Sequence, residues 1–386
     1  MPQSDFLQAL NALCDQWRGE RHERQARRHL DPGDFAALRA AGFWPAVVPR
    51  EAGGMWQGRE TSARSVCEAL RRLAAADSSV ALVASMHPAV IAFWLANPDP
   101  ARADWEEQRQ AVFSSAAGGE QWGTITSEPG SGGDIARTRA VARRDDGPAP
   151  FPGRAYRISG DKHFGSGLGV TDWMMTTAVP EDESDPAIFI LDLRDRPWDG
   201  SAGYRLLAEW DGMGMAATQS HAMRLEGAPA VRFGRDDPLQ DIALAATPFI
   251  LSLYTAVTIG ILDEVVTVSR ARLKGKSGVL RPFEMVEWSR AERDYWVAVQ
   301  AYEGALRAVE AGEPPEALHA ALRAKEAVAE LAEATLGRVC RVHGGSTFAR
   351  RSPFAHWFED VRALGFLRPP WGLAFDQLFE TSLPGD

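Results

Sequence analysis

The chain changes its hydrophobic period twice, near Gly118 and near Phe233, and this segregation restricts the fold more than any single residue does. From Ser4 to about Ser115 the pattern is helical. "DFAALRAAGFW" begins behind the turn-and-cap signal "LDPG", and "TSARSVCEALRRLAAAD" sets Val66, Leu70 and Leu73 on one stripe. "SSVALVASMHPAVIAFWLA" is apolar all round, which predicts a deeply buried helix. Between Gly123 and Phe233 the runs become short and rich in β-branched and aromatic residues, as in "RAYRISGDKHFGSG", "DWMMTTAVP" and "PAIFILDLRD", with Gly, Pro and Asp turns between them. Long helical patterns then return over roughly 245–274, 282–311 and 315–340, with shorter ones after Pro353. Strands and helices kept apart in this way argue against a doubly wound sheet. They predict a multidomain α+β protein in separate layers: an all-α domain over 1–120, a small β domain over 121–240 and a helical bundle over 241–386.

Charge and cysteine usage remove several function classes. The chain of 386 residues carries 42 basic and 52 acidic residues, a formal charge of −10, so a broad nucleic-acid surface is not expected. Cys14, Cys67 and Cys340 lie far apart with no CxxC spacing, which predicts neither a disulfide framework nor a metal site and suits a reducing cytoplasm. The first residues lack the basic start and apolar run of a secretory signal. "IALAATPFILSLYTAVTIGIL", from Ile242 to Leu262, is uncharged and long enough to span a bilayer. Its proline, serine and threonines, and its continuation into the charged "DEVVTVSRARLKGK", predict a buried core helix and no membrane partner.

The stretch "GTITSEPGSGGDIART" raises the functional question. Gly130, Gly132 and Gly133 permit positive φ and close approach of a ligand to backbone N–H groups, a geometry that cradles anions and polar ring edges. A turn between strands would also explain them. The motif gains force from its company: "SEPGSGGD", then "GDKHFGSGLGVTDW", "MGMAATQSHAMRLEGAPA" and "VHGGSTFARRSPFAHWFEDVRA", in that order within a helix–strand–helix layout. Together they make the chain resemble the acyl-CoA dehydrogenase superfamily of flavoproteins over nearly its whole length.

The resemblance implies a middle β-barrel-like domain that holds FAD against a C-terminal four-helix bundle. It places Thr126 and Ser127 at the flavin, Gly132 and Gly133 in the cradle, Phe164 over the ring and Ser166 at its polar edge. It further implies that Arg272 reaches the pyrophosphate, and Gly344 and Gly345 the adenosine half, across an interface in a dimer or homotetramer. The pattern departs from the family in four places, at Gly133, Ala216, Arg341 and Glu359. It departs more seriously at the catalytic base. Counting on from Asp360, Arg368 stands where the family's glutamate belongs, and arginine is no base at neutral pH. The alternative position, in "TPFILSLYTAVTIGIL", carries no acid. Asp376 and Glu380 follow, where exposed helix acids are the ordinary reading.

Three readings remain. The first is a FAD-dependent oxidoreductase of acyl-CoA dehydrogenase type, acting on the CH–CH group of an acyl thioester with electron-transfer flavoprotein as acceptor. The second is a monooxygenase on the same scaffold, using O2 and reduced flavin from a flavin reductase, with His87 beside Ser85 as the polar pocket residue. The third is a non-catalytic protein that keeps the fold. The first two take a small-molecule substrate, and the first is the leading expectation.

Overall fold

The computed structural model describes residues 3–234, 239–275, 277–312 and 314–383. Six helices come first: α1 (Gln3–Gly19), α2 (Arg21–Ala26), α3 (Pro32–Ala41), α4 (Arg59–Ala76), α5 (Ser78–Ala96) and α6 (Ala103–Ala117). Seven strands follow: β1 (Trp122–Thr124), β2 (Val141–Arg144), β3 (Ala155–Gly165), β4 (Trp173–Pro180), β5 (Ala187–Asp192), β6 (Tyr204–Ala208) and β7 (His221–Arg232). Helices then return as α7 (Leu239–Lys274), α8 (Pro282–Ala311), α9 (Pro314–His343), α10 (Pro353–Asp360), α11 (Ala363–Phe366) and α12 (Trp371–Ser382). The three-layer order read from the sequence therefore holds. The "GRDDPLQD" connection, where the helical pattern was expected to resume, runs through 235–238, outside the described residues.

The strands close on themselves. β4 pairs with β2, β2 with β3, β3 with β7, β7 with β5 and β5 again with β4, while β1 and β6 attach to β4 and β7. Closure removes most of the unpaired backbone edge that a small sheet would otherwise expose. Because side chains alternate across a strand, β4 and β5 serve two cores at once. Met174 and Ala178 of β4, with Phe189 and Leu191 of β5, point into the barrel beside Tyr156, Tyr204 and Leu225. Trp173 and Met175, with Ile188 and Ile190, point out into the helical core. That is why both strands read as continuous apolar runs rather than as alternating ones.

The outward face meets α5 and α7. Residues 251–262 of α7 are buried throughout, as the uncharged stretch required. Two described helices, Ser78–Ala96 and Asp241–Lys274, are long and apolar enough to cross a membrane, and most of each lies inside the protein. Gly260 brings α7 against α4 so closely that a Cβ there would collide with the carbonyl oxygen of Arg71. α8 and α9 pack alongside α7, and the short α12 lies along α9. The chain after α10 thereby returns to the open end of the barrel.

Candidate functional site

A cavity of about 1220 Å³ lies where the barrel, α5, α7 and the segment 359–381 converge. Its inner wall is apolar, from Leu82, Met86, Val90 and Phe93 of α5 and Ile250, Leu251 and Tyr254 of α7. Polar groups enter from the barrel side. Thr126, Ser127, Gly132, Gly133, Phe164 and Ser166 all line it, so six residues singled out in the sequence meet in one place.

The glycine-serine loop is held by a buried clamp. Glu128 accepts from Lys162 Nζ at 2.6 Å, from the Arg139 amide at 2.7 Å and from the Thr138 hydroxyl. Lys162 also donates to Thr177 O at 2.6 Å, and its side chain is fully buried. Burial pulls the Lys162 ammonium down to about 8 against the opposing pull of Glu128. Burial also works to raise the Glu128 carboxyl, but Lys162, Thr138 and the Arg139 amide outweigh it and hold the group below the ordinary glutamate value. The clamp ties β3 to the loop, so the "E" of "SEPG" and the "K" of "GDKHF" are two halves of one device. Beyond it the backbone is shaped for approach. Gly132 has φ +66° with open space where a Cβ would sit, and at Gly133, φ +84°, a Cβ would lie 2.7 Å from Pro370 Cγ.

The end of β3 supplies the second element. Phe164 holds φ +57°, a left-handed conformation that a bulky residue adopts at a cost of about 1–3 kcal/mol, and the residue lines the cavity and is 59% exposed. Trp210 meets it edge-on at 6.0 Å. Ser166 Oγ lies 2.8 Å from Ser220 Oγ, which lies 2.7 Å from Thr218 Oγ1, giving a chain of three buried hydroxyls that ends at the cavity. Asp360 fixes the loop that carries them: its carboxylate accepts from the Met215 amide at 2.6 Å and from Ser78 Oγ at 2.5 Å. Burial raises that carboxyl to about 6 against these two donors.

Arg368 stands opposite. Lys325, buried in α9, donates to Pro369 O at 2.8 Å and pins the segment, and Arg368 Nη2 donates to Ser127 Oγ at 2.5 Å. Burial lowers the guanidinium to about 10, only partly offset through space by Tyr254, Asp134 and Glu128. Among the described residues Arg368 forms no ion pair. Glu128 is engaged by Lys162, and Asp134 caps a turn by accepting from the Ala136 amide at 2.9 Å. Asp376 and Glu380 are exposed on α12 at the rim. The position expected for a proton-abstracting carboxylate is thus a cation.

His87 is a different matter from its sequence reading. It is wholly buried and does not line the cavity, although its neighbour Met86 does. Its Nδ1 accepts from the Trp122 amide at 3.1 Å, so Nε2 carries the proton and donates to Trp44 O at 3.1 Å. Burial drives its pKa down to about 3 and keeps the ring neutral. His87 joins α5 to the start of β1, which makes it a positioning residue. Ser85 is buried beside it and bonds Leu82 O.

Arg272, Gly344 and Gly345 lie outside the cavity, on another face of this chain. Arg272 lies over the Phe354 ring at 4.9 Å, and His343 stacks on the same ring at 4.6 Å. Gly344 and Gly345 are exposed next to them, and a Cβ at either would meet nothing. Lys162, the Ser220–Thr218 pair and Trp210 were not singled out from the sequence, although the lysine of "GDKHF" was a visible signal.

The residues fit a flat heterocycle with polar edges. The cradle of Gly132 and Gly133 leaves backbone open, the Phe164 ring is presented despite strain, and Thr177 Oγ1 on the cavity wall is buried with no hydrogen-bond partner. No protein-family model matches the chain. Dibenzothiophene monooxygenase of Rhodococcus erythropolis is 25% identical over 321 residues, covering 79% of this chain and 72% of that protein. The oxygenase component of an FADH(2)-dependent resorcinol hydroxylase from a Rhizobium species is 26% identical over 220 residues, 55% of this chain and 44% of that protein. Among solved structures, FMN-bound TdsC from Paenibacillus sp. A11-2 superposes with a TM-score of 0.79 at 20% identity, covering 98% of this chain and 97% of that one. These likenesses agree with the fold that the motifs implied. They favour the monooxygenase reading over the dehydrogenase one that led the expectations, and they support a flavin without selecting FAD.

Proposed function

We propose that this chain, a member of the acyl-CoA dehydrogenase superfamily, is the oxygenase of a flavin-dependent monooxygenase that receives reduced flavin from a separate reductase and acts on a small organic substrate. The observation that carries the reading is Arg368: a base-dependent dehydrogenation needs a carboxylate at that position or on α7, and the cavity offers a guanidinium at the first and no acid from the second. Oxygenation requires no α-proton base, and the relatives named above are monooxygenases or hydroxylases.

In this reading Ser127, Thr126, Phe164 and the amides around Gly132 and Gly133 are the groups that would hold a flavin. A reduced flavin supplies, when bound, the electrons that activate O2. The protein's own part is positioning and exclusion of water. The Lys162–Glu128 clamp fixes the cradle. Thr218 Oγ1 donates to Met215 O at 2.8 Å, so the Ser220 and Ser166 hydroxyls each donate along the chain and Ser166 Oγ faces the cavity as an acceptor that can orient a donor there. The apolar α5 and α7 walls receive the organic substrate and exclude bulk water. The same proposal carries forward a cytoplasmic protein assembled as a dimer or tetramer, with Arg272, Gly344 and Gly345 facing a second copy. The 91% exposed Phe348 beside them supports such an interface.

The test is to load the protein separately with FMN and FAD, and to add a panel of acyl-CoA thioesters without oxygen. The visible flavin spectrum should stay unchanged throughout. Bleaching by any thioester would restore the dehydrogenase reading.

A further inference from the structure

Resting on the reading of this cavity as the substrate site, we propose that Arg368 makes it a site for an organic acid, an apolar body whose carboxylate pairs with the guanidinium. The group is placed for the task. Pro369 is pinned by buried Lys325, Ser127 Oγ takes one N–H at 2.5 Å, and the rest of the guanidinium fork is left without a carboxylate among the described residues. An arginine inside an apolar-walled cavity is usually matched by an anion, because its desolvation is otherwise uncompensated.

Among the described residues, the acids and the phenol that act on Arg368 through space are already engaged. Glu128 is bonded to Lys162, the Asp134 carboxylate caps the following turn, and Tyr254 donates its hydroxyl to Met86 Sδ at 3.6 Å. Glu359, half-buried, and Asp376 and Glu380, both exposed, also line the cavity, but among the described residues none forms an ion pair with Arg368, and screening weakens the exposed two. Guanidinium and carboxylate match two bonds to two, which suits a carboxylate better than a diffuse or neutral group. The α5 and α7 walls beside Arg368, with Leu82, Phe93 and Ile250 among them, fit an aromatic or aliphatic body.

The experiment uses the flavin-free full-length protein and calorimetric titration with naphthoate and its neutral isostere naphthamide, before and after R368M. Wild type should bind naphthoate about tenfold or more tightly than naphthamide, the range expected for a charged hydrogen-bonded pair. R368M should bind the two alike and keep the wild-type affinity for naphthamide. Equal affinities in wild type, or a preference that survives R368M, would overturn the proposal. FMN binding is measured on the same proteins. A variant that loses FMN affinity while wild type shows no acid preference assigns Arg368 to the flavin and also overturns it. An acid preference in a protein that binds no flavin supports this inference while removing the flavin reading. If R368M does not fold, R368K decides: it keeps the charge but not the planar fork, and should reduce the preference severalfold.

Discussion

Replacing Glu128 by glutamine tests whether the cradle depends on its buried clamp. The substitution keeps the side chain's size but leaves Lys162 fully buried without its carboxylate. Lys162 stands at about 8 with Glu128 beside it, so losing the carboxylate lets burial pull it lower still and the lysine sheds its proton near pH 7. A glutamine oxygen can accept only part of what the carboxylate accepts from Lys162, Thr138 and the Arg139 amide, and each lost bond adds about 1 kcal/mol. The expected loss is about 3 kcal/mol, the low end for breaking a buried pair, because the lysine can neutralise. Urea unfolding followed by tryptophan fluorescence should show that loss at unchanged m-value. The double variant E128Q/K162M, which removes the orphaned amine, should recover a kcal/mol or more. A loss below about 1 kcal/mol in E128Q, or a double variant that loses the sum of both singles, would refute the clamp.

Other outcomes follow from the same geometry. Phe164→Gly relieves the left-handed strain and should leave stability unchanged or raised by about 1 kcal/mol, while FMN binding, read by fluorescence quenching, weakens about tenfold or more. His87 is depressed to about 3 in the folded protein, so its contribution is complete above the ordinary histidine value near 6.5 and is lost as pH falls toward 3. Asp360, raised to about 6, works oppositely and gains stability as pH falls from about 6 to about 4. His87→Asn should therefore flatten the fall in urea midpoint between about pH 6.5 and pH 4, and an unchanged acid limb would remove the buried-neutral assignment. Gly260→Ala forces a Cβ into the Arg71 carbonyl and should destabilise by about 1–3 kcal/mol or more in the same assay.

What the sequence made legible was local. Helical and strand periods located the layers because each element buries one continuous face, and "IALAATPFILSLYTAVTIGIL" could only be central. Thr126, Ser127, Gly132 and Gly133, with Phe164 and Ser166, end in one cavity because two short segments, one after β1 and one at the end of β3, carry them. Long-range pairings were not legible. Lys162 meets Glu128 across 34 positions, Ser166 meets Ser220 across 54, and Arg368 reaches Ser127 across 241. His87 misled for the same reason. A histidine on an apolar helix looks identical whether it faces a pocket or is satisfied by two distant backbone groups, here Trp44 and Trp122. The sequence exposed the missing glutamate but not that its replacement would enter the cavity bonded to Ser127 and, among the described residues, without an ion pair.

The central claim is that this cavity performs oxygenation rather than dehydrogenation. Its most direct measurement is mass spectrometry of products formed from apolar aromatic acids and neutral analogues by the protein, a flavin reductase and isotopically labelled O2. The account predicts a product heavier by one labelled oxygen atom, formed only when both protein and reduced flavin are present. Products that carry no label, with an acyl thioester instead losing two hydrogens to the bound flavin, would contradict it.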